Sequence, residues 1–189
     1  MMNNNLIPET VKYMITSGKT INTDTTLGFC VPGNPPSITL QEGQRMGVNK
    51  ANGKPYMYKN DELKEAENIL QSAFARYMPA EPWSEPVKMT VVFVFDETQK
   101  TGAPRNPGDV RTEKPDADNL AKMVIDRLCA EIPYVYINHR RIYCDKRPLL
   151  INDSQVVALD VRKVWDSQHA GLYIVAEKVA ASVAKELAG

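Results

Sequence analysis

The residues best suited to chemistry lie in one stretch, Lys114-Pro115-Asp116-Ala117-Asp118-Asn119-Leu120-Ala121-Lys122-Met123-Val124-Ile125-Asp126. Proline disfavours helix in the residue before it and suits the first turn of a helix. The stretch therefore reads as a loop running into a helix, with two carboxylates one residue apart at the junction. Extended backbone there puts Asp116 and Asp118 on the same side. Asp118, Lys122 and Asp126 follow at i, i+4 and i+8 and share one helix face, opposite or beside the apolar stripe Leu120, Val124 and Leu128. Two readings of the acids are open. In one they cap the helix and complement its dipole, with Asp118 and Lys122 an ordinary i,i+4 pair. In the other they bind a metal ion.

A second segment, Asn152-Asp153-Ser154-Gln155-Val156-Val157, places Asp153 just before a predicted strand. By itself Asp153 is a turn residue. Three acids converging from a loop, a helix start and a strand start repel one another unless a cation neutralises them. Oxygen ligands of this kind suit Mg²⁺ or Mn²⁺, and such a site can activate water and stabilise the leaving oxygen of a phosphodiester. Rival chemistries lack their parts. There is no Ser-His-Asp arrangement and no Walker loop, and neither His139 nor His169 has a predicted place beside the acids. Cys30, Cys129 and Cys144 are an odd number at no disulfide-like spacing, so a reduced, cytoplasmic protein is expected. Cys129, His139 and Cys144 match no common zinc-finger spacing and are assigned to packing.

Together, P-D-x-D-N-x-x-K-x-x-x-D (115–126) and D-S-Q-V (153–156) resemble the RusA family of Holliday junction resolvases. The likeness extends over about residues 27–177, from an opening strand and proline-rich turn (Val31 to Pro36) through a basic loop, helix, strand and polar loop to two strands after the motif. It implies a Mg²⁺-dependent endodeoxyribonuclease, homodimeric, that nicks four-way DNA junctions in recombination and repair. By position, the essential carboxylates fall on Asp116, Asp118 and Asp153 and the functional lysine on Lys122. Asn119 becomes a residue of the helix start, and Asp126 supports the site or the helix. Gln155 matches a motif position with no derivable role. The chain departs from the family in two ways. Asn152-Asp153 stands where two acids are usual, and residues 129–151 form an insertion where a short turn is usual. Cleavage of flaps or forks, or a non-catalytic DNA-binding or interaction domain on the same fold, are the alternatives.

The elements that must position these residues give an α+β fold. It is a single domain at residues 27–177, with a mixed sheet packed by two main helices, after an N-terminal extension (1–26) and before a short C-terminal helix (178–189). Leu27–Val31 reads as a first strand and Val87–Phe95 (VKMTVVFVF), β-branched and aromatic, as a central one. Residues 37–59 read as a loop with turn formers at Gly43, Gly47 and Asn52-Gly53. A helix capped by Asn60 or Asp61 carries an apolar stripe of Leu63, Ala66, Ile69, Leu70, Ala73, Phe74 and Tyr77. Residues 96–115 are a long loop, and a second helix runs from Asp116 to Glu131. Ile132–Ile137 and Arg141–Tyr143 suit a hairpin around Asn138-His139. Gln155–Trp165 and Gly171–Ala176 suit a pair of strands joined by the turn at 166–170.

A chain of 189 residues, 43% hydrophobic and 24% charged, is neither disordered nor collagen-like, and no apolar run approaches the length of a membrane span. The N-terminus has no basic-then-apolar pattern of a signal peptide. The 23 basic and 23 acidic residues cancel, but they are segregated. Residues 43–59 hold Arg45, Lys50, Lys54 and Lys59 with no acid. Residues 99–114 hold a net +2 that includes Arg111 and Lys114. Residues 138–147 hold Arg140, Arg141, Lys146 and Arg147 against Asp145. These ten cations are the expected DNA contacts, confined to segments that flank the acids in sequence.

Overall fold

The structure is a computed structural model that describes residues 6–96, 106–137 and 140–180. In chain order its elements are α1 (Glu9–Ser17), β1 (Ile21–Asn22), β2 (Thr26–Pro32), α2 (Leu40–Gly43), β3 (Gln44–Val48), β4 (Pro55–Lys59), α3 (Asp61–Phe74) and β5 (Val87–Phe95). Then come α4 (Ala117–Leu128), β6 (Ile132–Ile137), β7 (Arg140–Lys146), a 3₁₀ turn (Asp153–Gln155), β8 (Val156–Trp165) and β9 (Gly171–Lys178). The fold is α+β. The chain divides into two units, one of residues 1–35, 82–113 and 149–189, the other of residues 36–81 and 114–148.

The first unit is built on β5. Eight of its nine residues are buried and only Lys88 is exposed, so it takes the interior of a five-stranded sheet in the order β1-β2-β9-β5-β8. Each buried Val, Met or Phe side chain contributes roughly 1.5–3 kcal/mol. β8 runs parallel to β5, and β9 runs antiparallel to both β5 and β2. The expected pairing of β8 with β9 is therefore corrected: β5 lies between them. Both bring side chains to the strand with the most apolar surface, and β8, which leaves Val157 and Leu159 exposed, takes the edge. Residues 109–111 cover part of that edge. Arg111 N–H donates to Lys163 O and Trp165 N–H to Asp109 O, both at 2.9 Å, which limits open strand pairing.

The segment expected to be an extension also contributes to this unit. Val11 and Met14 of α1 are buried with Ile7 against Val92, Val94, Val164, Tyr173 and Val175. The short apolar patch at 11–15 is thus the inner face of a helix, ended by Gly18 in the left-handed conformation at φ 65°. Arg162 fixes the start of the described chain by donating to Leu6 O while forking onto both oxygens of Asp160.

The second unit contains α2, α3, α4 and two hairpins. Asn60 caps α3 by accepting from Leu63 N–H at 2.9 Å. Leu63, Ala66, Leu70 and Phe74 form its buried stripe, packed with Leu120, Met123, Val124 and Leu128 of α4 in the unit's core. Ile69, expected in the stripe, is 55% exposed, and Glu67 is buried instead. Lys59 explains the exchange: its ammonium donates to both Glu67 carboxylate oxygens, at 2.6 and 2.8 Å. The expected loop at 37–59 is corrected to a short helix and the β3–β4 hairpin, turned through Asn49–Lys54 with Gly53 at φ 68°. The β6–β7 hairpin forms where expected, its tip at 138–139 lying outside the described residues. The expected C-terminal helix also falls largely outside them. No helix among the described residues is long and apolar enough to cross a membrane.

Candidate functional site

Pro115 is buried and hands the chain to Asp116, the N-cap of α4, at φ −68° and ψ 146°. The Asp116 side chain makes no capping hydrogen bond. The capping reading therefore fails for this residue, and its exposed carboxylate is not spent on the backbone. Asp118 stands in the first helical turn, also exposed, where the helix dipole favours an anion. Lys122 follows one turn later. Its ammonium lies 3.3 Å from Asp126, so the helix pair it makes is with the acid after it. Asn119 donates to the Gln41 side chain at 3.4 Å and links the start of α4 to α2. Asp116, Asp118 and Lys122 are thus presented by one helix whose apolar face is locked into the core of its unit.

Asp153 belongs to the other unit and opens the 3₁₀ turn. Its neighbours explain the motif around it. Asn152 caps the turn by accepting from Ser154 N–H at 2.9 Å, a role that its amide oxygen fills as a carboxylate would. Gln155 has the role that the sequence left open. Its side-chain oxygen accepts from the N–H groups of Ile151 and Asn152 at 2.8 and 2.9 Å. Its amide nitrogen donates to Trp83 O and Glu85 O at 2.7 and 3.1 Å. Gln155 therefore ties both the turn that carries Asp153 and the segment leading into β5 to the start of β8. Among the described residues no three Asp, Glu, His or Cys side chains are gathered closely enough to hold a metal ion. The donor set itself, carboxylate oxygens exposed to solvent, is of the hard type that suits Mg²⁺ or Mn²⁺.

The ten cations expected on DNA separate into groups. Lys50 and Lys54 are exposed at the turn of β3–β4, and Lys114, Arg140 and Lys146 are exposed too. Arg45 donates to the carbonyls of Glu42 and Gln44. Lys59 is held by Glu67, and Arg147 lies 3.7 Å from Glu131. Arg111 is a correction. Its side chain is 11% exposed, with the guanidinium carbon 3.6 Å from the centre of the Phe95 ring and 5.0 Å from that of Trp165. The flat, delocalised cation has been drawn onto aromatic faces inside the first unit. Arg141 is stacked as well, over Tyr134 and Tyr136. Charge counting along 138–147 misses these tyrosines. The signal that exposes them is the two-residue period of Tyr134 and Tyr136, with Tyr143 on the returning strand. No disulfide joins Cys30, Cys129 or Cys144 among the described residues.

A family profile described as endodeoxyribonuclease RusA matches residues 35–139, more than half of the chain. The match contains Asp116, Asp118 and Lys122 and stops before Asp153. No curated protein matches the sequence. The profile spans the basic hairpin, α3, β5 and the acidic start of α4, and the chain belongs to the RusA family of endodeoxyribonucleases.

Proposed function

We propose that the protein is a divalent-metal-dependent endodeoxyribonuclease that resolves four-way DNA junctions by hydrolysing phosphodiesters. The observation that carries the reading is the start of α4, inside the family match, where Asp116 is free of capping and Asp118 and Lys122 project from the same helix. Asp116 and Asp118 at the start of α4 are carboxylates that would hold Mg²⁺ or Mn²⁺, and the family likeness adds Asp153 as the third. Such an ion, when bound, would supply a nucleophilic water at neutral pH and would offset charge on the departing 3′-oxygen. Lys122 acts on the phosphate. Its ammonium, steadied by Asp126, stabilises the negative charge that builds on the non-bridging oxygens as water attacks phosphorus. Asn119 and Gln155 are positioning residues that fix the two segments bearing the acids. Exposed Lys50, Lys54, Lys114, Arg140 and Lys146 bind the DNA backbone, which makes affinity strongly salt-dependent. A homodimer follows from the substrate, since two symmetric nicks in a two-fold junction call for two sites related by two-fold symmetry.

Asp116→Asn tests the reading. In Mg²⁺ the variant is expected to lose cleavage of a synthetic four-way junction while binding it as well as or better than the parent, because one negative charge near phosphates is gone. Full cleavage by the variant overturns the assignment. A substrate panel of junction, flap, fork and linear duplex fixes the specificity, and preference for flaps or forks would move the function to other branched DNA. A monomer in sedimentation at micromolar concentration would remove the dimer.

A further inference from the structure

We propose that one face of the β6–β7 hairpin is a stacking platform for unpaired DNA bases, which rests on the branched-DNA reading above and names the feature of the substrate that the insertion recognises. Register places Tyr134 opposite Tyr143 and Tyr136 opposite Arg141. Alternation puts all four side chains on the same face. The ring centres of Tyr134 and Tyr143 are 6.3 Å apart and those of Tyr134 and Tyr136 are 5.8 Å apart. The Arg141 guanidinium carbon sits 4.4 Å from the centre of the Tyr134 ring, and one of its nitrogens donates to Tyr136 Oη at 3.3 Å. The face is therefore a continuous run of aromatic rings and one cation, and it is open: Tyr143 is 76% exposed and Tyr136 38%.

Such a run costs free energy in water unless something covers it, and its composition selects the partner. Exposed tyrosines interleaved with guanidinium are what a nucleobase stacks on, because every base has a π-face and an adjacent phosphate. Arg140 and Lys146, exposed on the same hairpin, supply the charge for the backbone between stacked bases. A duplex hides its base faces, whereas the crossing point of a branched molecule leaves bases unstacked. The hairpin is also braced. Tyr136 N–H donates to Ser72 Oγ of α3 at 3.2 Å, Ile132 is fully buried, and Cys144 Sγ donates to Ile132 O at 3.2 Å. An isolated two-stranded hairpin is marginal in water, so this anchoring to α3 makes a pre-formed surface.

The experiment uses the full chain in metal-free buffer with EDTA, where nothing is cleaved. Fluorescence anisotropy is read with two labelled probes, a 20-nucleotide oligo(dT) and a 20-base-pair duplex. Tyr143→Ala is expected to weaken oligo(dT) binding about tenfold, the scale of one lost base stack, and to change duplex binding less than about twofold. Tyr143→Phe, which keeps the ring, is expected to bind both probes as the parent does. Far-ultraviolet circular dichroism and a thermal melt confirm that each variant is folded. Parent protein that does not bind oligo(dT), Tyr143→Ala binding it normally, or equal losses on the two probes each overturn the platform. So does a fall in oligomer mass without a change in oligo(dT) affinity, which would make the face a contact between copies. None of these outcomes touches the nuclease reading, which stands or falls on Asp116→Asn and junction cleavage.

Discussion

Gln155 offers the sharpest test of how the acidic turn is held. It is half-buried and makes four side-chain hydrogen bonds, two accepted and two donated. Those donated to Trp83 O and Glu85 O are partly buried and contribute about 1 kcal/mol each. Those accepted from Ile151 and Asn152 are exposed and contribute roughly half as much, because water replaces them readily. Gln155→Ala is expected to lower unfolding free energy by about 2–3 kcal/mol, or ~5–10 °C in Tm for a chain of this size. Gln155→Glu adds a sign. It keeps the accepted bonds but aims a carboxylate oxygen at two carbonyls, so its ionised form is disfavoured in the fold and its carboxyl is held above the usual range. That variant is expected to recover stability as pH falls, once the side chain is protonated and donates again. Urea unfolding at pH 5 and pH 8 reads both variants, and junction cleavage reads the turn. A loss below about 0.5 kcal/mol in Gln155→Ala, or a Gln155→Glu variant with no gain at pH 5 relative to the parent, would refute the network. Normal cleavage by a destabilised Gln155→Ala would show that the clamp serves the fold alone.

Three further outcomes are expected. Lys59→Met leaves Glu67 buried without its cation and should cost about 1–2 kcal/mol in urea unfolding, less than a fully buried pair because Lys59 is partly exposed; a double-mutant cycle with Glu67→Gln showing no coupling would refute the pairing. Arg111→Met removes the guanidinium from Phe95 and Trp165 and should cost about 1 kcal/mol of stability while leaving the salt dependence of DNA binding unchanged; a shallower salt slope would return Arg111 to the DNA. Burial raises the Tyr173 phenol, and nearby Cys30 reinforces the shift, so the fold keeps a proton that the unfolded chain gives up. Stability from this group is complete below about pH 10 and is lost as pH rises further. Tyr173→Phe should flatten that alkaline decline, and denaturation curves at pH 8 and pH 10.5 that differ equally in parent and variant would exclude it.

Sequence alone determined what local geometry governs. Helical spacing fixes Asp118, Lys122 and Asp126 to one face whatever surrounds them, and Pro115 marks where the helix begins. The apolar run of β5, the Asn60 cap and the strand-like runs at 132–137 and 141–143 are local too, and each falls within an element of the kind its pattern suggested. Tertiary structure decided which strands meet and which charges face water. β8 and β9 adjoin in sequence and have strand patterns, yet both pair with β5, because competition for its buried surface is non-local. Residues 11–15 look like an isolated patch until the sheet supplies a face to cover. A cation in a sequence has a sign but no address. Lys59 went to a buried carboxylate and Arg111 to two aromatic rings, since each found there a partner that compensates for lost water, whereas Arg141 stays exposed and lies over a row of tyrosines. The place of Asp116 at the start of α4 was legible in Pro115 and the helical spacing that follows it; that its carboxylate is not spent on capping α4 was a matter of backbone and side-chain geometry that only the folded chain could show.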